Sequence, residues 1–422
     1  MRTNFSAAQL ADPHIAAAEQ QLRSCVHCGI CTATCPTYTL LGDELDGPRG
    51  RIQLIQHMLE TDAAPSAKVV THIDRCLSCL ACVSACPSGV NYPRLIDEAR
   101  AHIERKGTRP LPRRLMRWFL GTLLPRRAPL RAALLLARVS SLMAPLLPSA
   151  LAIPLRVASR LKPHGPSSMA IAKPATPIKR IALHRGCVQE VVAPHITEAA
   201  IRVLTRHGIE VVPVEGTGCC GSLNHHLGQT EASDRHADAL VADIARKEKQ
   251  GRFDAIVTTA SGCGSTIRDY GFHVRDSADI AARTRDIADL LRDVPLKVGE
   301  AHKGTRVAYH AACSLTHGMK QAAAAPALLK KLGFDVVEPR DTACCGSAGV
   351  YNILEPEIAG ELQQRKATTL MATQPQLIAT GNIGCHAQIA AAVQVPVVHT
   401  IELIDWATGG PPLVGAAQIG GN

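Results

Sequence analysis

Cys25-x2-Cys28-x2-Cys31-x3-Cys35-Pro36 and Cys76-x2-Cys79-x2-Cys82-x3-Cys86-Pro87 decide how the amino-terminal part of this 422-residue chain folds. Three thiols two residues apart wrap one corner of a 4Fe-4S cube. In two-cluster ferredoxins the fourth Cys of each run ligates the other cluster. That rule assigns Cys25, Cys28, Cys31 and Cys86 to one cluster, and Cys76, Cys79, Cys82 and Cys35 to a second. A zinc site takes four ligands, usually as two well-separated pairs, which the doubled run does not resemble. Two closely spaced one-electron centres imply electron transfer. The spacers Val26, Gly29, Ile30, Leu77, Ser78, Leu80 and Ala81 are small or apolar, an expected shield against water that leaves backbone N–H groups for the sulfides. His27 reads as an ordinary surface imidazole.

Working outward, residues 1–105 are expected to form a small helical module around both clusters. Pro36 and Pro87 suit the first turn of the helix after each run, where a missing N–H costs nothing. Gly47-Pro48-Arg49-Gly50-Arg51 reads as a turn, followed by a helix over Ile52–Glu60 with Ile52, Ile55 and Leu59 on one face. Arg49 and Arg51 either balance cluster charge or form a solvated charge pair.

Composition narrows the function classes. Hydrophobic residues make up 46% of the chain and aromatics only 3%, so cores must be aliphatic. Met1 to Leu22 holds no apolar core segment and contains Asp12 and Glu19, so no signal peptide is expected. Thiols that bind iron need a reducing compartment, which makes the cytoplasm the expected location. The net charge of +10 is localised: residues 105–189 contain 17 Lys and Arg and no acidic residue, while the remainder carries 29 basic and 36 acidic residues. The motifs and aromatics that accompany nucleic-acid binding are missing, so no nucleic-acid partner is expected. Within the basic block, residues 106–175 read as an apolar helical connector. Its uncharged stretch Val139 to Pro154 is broken by Pro145, Pro148 and Pro154 and falls short of the about twenty apolar residues of a membrane span. Arg113, Arg114 and Arg117 beside Trp118, Phe119 and Leu120 fit an interfacial element attracted to anionic lipid. A connector packed on its own domains or on a partner subunit is the competing reading.

The second half repeats itself. Ile181-Ala-Leu-His-Arg-Gly-Cys187, Cys219-Cys220-Gly221 and Ser261-Gly262-Cys263-Gly264 recur as Val307-Ala-Tyr-His-Ala-Ala-Cys313, Cys344-Cys345-Gly346 and Ile383-Gly384-Cys385-His386. The matching cysteines are offset by 126, 125 and 122 residues. Strands are expected at 181–183, 210–214 and 255–259, and again at 306–309, 335–338 and 377–380. Helices over 196–207 and 325–332 end at Gly208 and Gly333. The fold class is therefore α+β and α/β multidomain: a helical dicluster module (1–105), the connector (106–175), and two α/β repeats (176–298 and 299–410) with mostly parallel sheets. Every repeat cysteine follows a strand, at the carboxyl edge where ligands of such sheets bind. Cys187, Cys219, Cys220, Cys263, Cys313, Cys344, Cys345 and Cys385 read either as a third redox site, iron–sulfur or thiol, or as structural cysteines.

The repeat resembles the cysteine-rich CCG domain of the heterodisulfide reductase B subunit, the anaerobic glycerol-3-phosphate dehydrogenase C subunit and lactate-utilisation proteins. Arg23-Ser-Cys25-Val-His-Cys28-Gly-Ile-Cys31-Thr-Ala-Thr-Cys35-Pro-Thr-Tyr38, Gly42-Asp-Glu-Leu-Asp-Gly-Pro-Arg-Gly-Arg-Ile52, Asp74-Arg-Cys76-Leu-Ser-Cys79 and Cys86-Pro-Ser-Gly89-Val carry a wider likeness. Across nearly the whole chain it resembles the iron–sulfur subunit family of glycolate oxidase (glycolate dehydrogenase). One departure stands out. The reductase domain ends in Cys-x-x-Cys, whereas Thr266 follows Cys263 and Gln388 follows Cys385 here, leaving four cysteines per repeat instead of five. That reductase's double cluster therefore does not simply carry over.

The resemblance implies an oxidoreductase subunit that passes electrons from glycolate toward a quinone or another membrane acceptor. The chain itself shows no flavin or nicotinamide site: Gly346-Ser-Ala-Gly349 lacks the spacing of a dinucleotide fingerprint. A 2-hydroxy acid gives up two electrons and needs a hydride-accepting cofactor first, so FAD is expected only on partner subunits. No residue of this chain is expected to be catalytic. Peripheral attachment to the inner face of the cell membrane is expected. A thiol/disulfide reductase, and an iron–sulfur subunit for lactate or glycerol-3-phosphate oxidation, are the alternatives.

Overall fold

The computed structural model describes residues 1–140, 155, 159, 161–165, 169–300, 302–341 and 343–413. Its amino-terminal part is helical throughout. Helices Pro13–Ser24, Pro48–Thr61, Ala67–Asp74 and Pro93–Lys106 bury Leu22, Ile52, Ile55, Ile73, Leu95 and Ile96 around one core. The Ile52, Ile55 and Leu59 stripe faces inward as its spacing requires. The helix starts earlier than Ile52, however. Pro48 occupies its first turn and Gly47 caps it, so Pro48 to Arg51 are helical and do not form a turn ahead of the helix. Pro36 likewise opens a helix, Pro36–Leu41. Pro87 does not. Gly89, at φ +66°, turns the backbone left-handed two residues later, and the helix after the second run waits until Pro93.

The connector forms helices Leu111–Leu123 and Arg127–Ser140, and the residues of the expected interfacial element divide between its two faces. Arg117 is buried, donating from Nη2 to the Leu227 carbonyl at 2.8 Å, and Leu120 packs with Leu227 and Val350. Arg113 pairs with Glu355 at 3.0 Å. The outward face carries Leu111, Leu115, Trp118 (63% exposed) and Phe119 beside exposed Arg113 and Arg114, with Leu135, Leu136 and Val139 exposed on the next helix. The acidic residues Asp74 and Glu104 lie 3.8 and 4.0 Å from Arg117 and draw it inward. Pro145, Pro148 and Pro154 fall outside the described residues. No helix among the described residues is long and apolar enough to cross a membrane.

Each repeat is a four-stranded, wholly parallel sheet. The first comprises β1 (Lys179–His184), β2 (Ile209–Val214), β3 (Ala255–Thr258) and β4 (Thr284–Asp286), in the order β2-β1-β3-β4. The second comprises β5 (Arg306–His310), β6 (Asp335–Val337), β7 (Leu377–Thr380) and β8 (Val397–His399), in the order β6-β5-β7-β8. Ile181 lies opposite Val211 and Ala255, and Val307 opposite Val336 and Leu377, so the equivalent register recurs. Helices Pro194–Arg206 and Ala324–Lys331 stop just before Gly208 (φ +77°) and Gly333 (φ +102°), which reverse the chain in a conformation disfavoured for other residues. β4 and β8, each an edge strand of three residues, escape sequence reading.

The repeats are not separate beads. Ile181, Leu183, Ile196, Val307, Leu329 and Ile404 belong to one continuous core. At its rim Asp405, almost fully buried on helix Thr400–Ala407, accepts from Arg202 at 2.6 Å and Arg206 at 3.1 Å of the first repeat. Replacing Asp405 by Ala leaves two partly buried guanidinium groups facing each other without a counter-charge. A loss of about 2–4 kcal/mol is expected, toward the range for breaking a buried ion pair. Denaturant unfolding followed by circular dichroism should show the midpoint of Asp405→Ala lowered, and an unchanged midpoint would mean that the pair contributes nothing across this interface.

Candidate metal centres

The eight amino-terminal thiols converge on two cavities. Cys25, Cys28, Cys31 and Cys86 line the first, together with His27 and Arg49. Cys35, Cys76, Cys79 and Cys82 line the second, with Arg51 and Leu77; Cys82 also reaches the first. The first cavity thus draws three thiols from the first run and two from the second, and the second cavity three from the second run and one from the first. The loops are shaped alike: His27 and Gly29 have φ of 55° and 80°, and Ser78 and Leu80 have φ of 49° and 63°. Left-handed residues at matching positions curl successive N–H groups into the kind of concavity that receives anions and iron–sulfur clusters. Three of those four residues are not glycine, so the conformation is imposed at a cost of order 1 kcal/mol each.

The thiols perturb one another. Burial pushes Cys31 up to about 11, with further upward contributions from Cys25, Cys86 and Cys28. Burial raises Cys79 and Cys82 well above the ordinary thiol range as well. Such a set is poised to exchange protons for a cation placed at its centre. Four sulfur donors around one cavity, twice, fit two cubanes.

The cavities differ in depth. Around the first, Cys28 is exposed, and Val26 (68%) and Ile30 (53%) project into solvent, so these spacers do not form the expected shield. His27 is half-buried on the cavity wall, in contact with the Met1 sulfur, and is not a free surface imidazole. The second cavity lies deeper, behind buried Leu77. Arg51, at 1% exposure, is no solvated ion. It donates to the His72 carbonyl at 2.7 Å, to Thr37 Oγ1 at 3.1 Å and toward Cys35 Sγ at 3.8 Å. Burial opposes its charge, yet Cys76, Tyr92, Cys35 and Asp46 raise its pKa overall. Asp46 lies 3.5 Å from Arg51 Nη2 and is itself held by His72 at 3.0 Å and Arg75 at 2.9 Å. Arg49 is the superficial member, paired with Glu44 at 2.7 Å.

The eight repeat cysteines fall into two rows of four, one in each repeat, and not into one group. In the first, Cys187 Sγ lies 3.7 Å from Cys219 Sγ, and contacts continue through Cys220 to Cys263. In the second, Cys313, Cys344, Cys345 and Cys385 follow one another in the same way. Backbone N–H groups of Gly221 and Gly346 donate to Cys219 and Cys344 at 3.3 and 3.4 Å. Cys263 and Cys385 ride on helices Ser261–His273 and Ile383–Ala390, which follow β3 and β7. Two histidines join these rows: His184 with Cys220 and Cys263, and His310 with Cys345 and Cys385, the ligand atoms of each trio lying within 4.8 Å of one another. Burial pushes His184 down to about 4 and His310 to about 3, leaving both rings neutral. Sequence reading passes over them, although both stand three residues ahead of a repeat cysteine, in His184-Arg-Gly-Cys187 and His310-Ala-Ala-Cys313.

The second row adjoins the second cavity. Leu77, Cys344 and Tyr351 form a buried apolar junction to which Cys79 and Cys313 are packed. Cys313 contributes to raising Cys79, and Cys79 to raising Cys344. Tyr351 donates from its hydroxyl to the Arg75 carbonyl at 2.9 Å, and Ser84 Oγ meets His317 Nδ1 at 2.7 Å, fixing the helical module against the second repeat.

Comparison with known families agrees with this geometry. A 4Fe-4S dicluster domain matches residues 21–90, and a cysteine-rich domain matches residues 181–268 and 307–390. The glycolate oxidase iron-sulfur subunit of Escherichia coli (strain K12) is 39% identical over 401 residues, spanning 92% of this chain and 95% of that one. The probable glycolate oxidase iron-sulfur subunit of Bacillus subtilis (strain 168) is 29% identical, over 93% and 95%. A fumarate reductase (CoM/CoB) subunit of Methanothermobacter marburgensis is 25% identical over 92% of this chain and 73% of its own. With two parallel-sheet cysteine-rich repeats behind a dicluster module, and this identity over nearly full length, the chain belongs to the family of glycolate oxidase iron–sulfur subunits.

Proposed function

We propose that this chain is the electron-transfer subunit of a glycolate-oxidising complex. Cys25, Cys28, Cys31 and Cys86 hold one 4Fe-4S cluster, and Cys76, Cys79, Cys82 and Cys35 the other. The observation that carries the reading is the crosswise division of eight thiols between two neighbouring cavities. Module boundaries near 105, 175 and 298 belong to the same proposal. When bound, each cluster accepts and releases one electron at a time. Glycolate loses two electrons and two protons on becoming glyoxylate, so that chemistry falls to a partner FAD subunit, and the electrons leave toward a quinone or other membrane acceptor.

The residues divide the remaining work. Val26, Ile30 and exposed Cys28 make the first cavity the natural face for a donor subunit, and Leu77, Cys79, Cys344 and Tyr351 lead inward from the second. Arg51 supplies fixed positive charge beside Cys35. The exposed row Leu111, Leu115, Trp118 and Phe119 supports peripheral attachment to the inner face of the membrane, through apolar insertion more than through arginine.

Oxygen-free complex should contain about eight or more irons per chain. Glycolate should reduce them only with the flavin subunit present; no cluster reduction in the full complex would remove the proposal. Cys86→Ala should abolish the EPR signal of the centre built on Cys25, Cys28 and Cys31, and Cys35→Ala that of the other, opposite to a ligation confined within each run.

Arg51→Met removes a positive charge from the second centre. Its midpoint potential should fall by tens of millivolts, since a unit charge near such a site is worth about 1–3 kcal/mol at an effective dielectric of about 20. Arg51→Lys should retain most of the potential. Equal potentials for wild type and Arg51→Met would show that the buried cation does not tune the centre.

For the membrane face, Leu115→Glu with Trp118→Glu should release the complex from phosphatidylethanolamine–phosphatidylglycerol vesicles in a sedimentation assay. Unchanged sedimentation would assign attachment elsewhere.

A further inference from the structure

Each repeat ends its second-from-edge strand on a buried histidine that the rest of the protein does not satisfy. His184 closes β1 at 2% exposure and His310 closes β5 at 4%. The Val214 carbonyl approaches His184 but is engaged by the Arg185 N–H at 3.2 Å, and neither ring nitrogen of His184 completes a well-formed hydrogen bond. Nε2 of His310 has none either. A buried polar atom left in this way costs about 1–3 kcal/mol. The fold bears that cost twice, at equivalent positions.

A histidine that merely fills the core behaves differently in this same molecule. His399 meets the Thr259 carbonyl through Nε2 at 2.7 Å and accepts from the Ile401 N–H through Nδ1 at 3.1 Å. His302 meets the Leu332 carbonyl at 2.6 Å. His184 and His310 face sulfur instead: the nitrogen of each lies with two thiols inside a 4.8 Å group, Cys220 and Cys263 in one case, Cys345 and Cys385 in the other. Cys219 and Cys187 extend the first row, and Cys344 and Cys313 the second. That makes five donors per repeat. One tetrahedral zinc ion uses four.

We propose that His184 and His310 are direct metal ligands, each completing with the four cysteines of its own repeat a polynuclear iron–sulfur centre of mixed imidazole and thiolate ligation. Imidazole and thiolate both suit iron, and a neutral nitrogen in place of a thiolate makes such a centre easier to reduce. The inference goes beyond the two ferredoxin-type clusters and stands independently of the substrate.

The complex purified without oxygen is the sample. Wild type should hold iron beyond the about eight atoms of two 4Fe-4S clusters. Labelling histidine with 15N should alter the hyperfine coupling of an EPR signal distinct from those of the ferredoxin-type centres. His184→Ala and His310→Ala should each lose part of the extra iron and of that coupling, with ferredoxin-type signals retained. His310→Cys should restore the second repeat's iron while leaving only the nitrogen coupling due to His184. An iron content that stops at about eight, zinc in place of the extra iron, or a spectrum insensitive to the label would each overturn the proposal. The labelling uses unsubstituted protein, so a variant that fails to fold does not blunt the test. Loss of the ferredoxin-type signals with the extra iron retained would strike the electron-transfer reading and not this one.

Discussion

Crosswise sharing of thiols is the constraint on which the amino-terminal architecture turns. Cys86 must leave its own run to complete the cavity of Cys25, Cys28 and Cys31, and Cys35 must cross the other way. Two loops more than forty residues apart are thereby fixed against each other. Helices Pro48–Thr61 and Pro93–Lys106 close the core beneath them. Gathering thiolates in a low-dielectric interior demands positive charge nearby, and Arg51 meets the demand from a fully buried position. A buried guanidinium is stabilised by the groups that accept from it, and here the His72 carbonyl, Thr37, Asp46 and Cys35 do so. The Arg51–Asp46–His72–Arg75 group is best understood as the support of the second centre and not as a source of stability in its own right.

Depth gives the molecule a direction. The first cavity opens toward solvent beside Val26 and Ile30, while the second lies against buried Leu77 and abuts the thiols of the second repeat. Charge moving through closely packed centres follows such contacts more readily than it crosses water. On the proposed electron-transfer reading, the packing of Cys79 beside Cys313 and Cys344 is where the helical module would exchange charge with the second repeat. It also explains why the helical module is clamped to the second repeat through Tyr351 and Ser84, instead of swinging on the connector.

Much of this was legible from local pattern. The strands with β-branched runs, the stripe Ile52, Ile55 and Leu59, and the terminating Gly208 and Gly333 are set by period and by backbone sterics, which act over a few residues. What escaped depends on tertiary partners. β4, with the sequence Thr284-Arg-Asp286, and β8, Val397-Val-His399, are too short to show a period and exist because a parallel neighbour offers them hydrogen bonds. Arg51 looks like any surface arginine until Cys35 and Asp46 are placed around it. Arg117 reads as a lipid-facing cation, and only the positions of Asp74 and Glu104 send it inward. The ferredoxin runs were transparent because their chemistry dictates spacing; the repeat histidines recur three residues ahead of Cys187 and Cys313, but only the thiols around them give that spacing a meaning.

The missing fifth cysteine of each repeat gains a physical account from the same geometry. Thr266, one turn beyond Cys263, bonds back to the Gly262 carbonyl at 3.2 Å, and Gln388 donates to the Ala359 carbonyl at 3.3 Å and accepts from Asn352 at 3.0 Å. Both side chains serve the helix and its surroundings and leave the sulfur row alone. A donor lost from the helix after β3 or β7 can be replaced only from an element that already points at the row. The carboxyl ends of β1 and β5 are such elements, because the parallel sheet delivers every strand end to one edge. Two repeats that both lack the helical cysteine, and both carry an unpartnered histidine at that edge, are more simply explained by one exchange of ligand than by two coincidences.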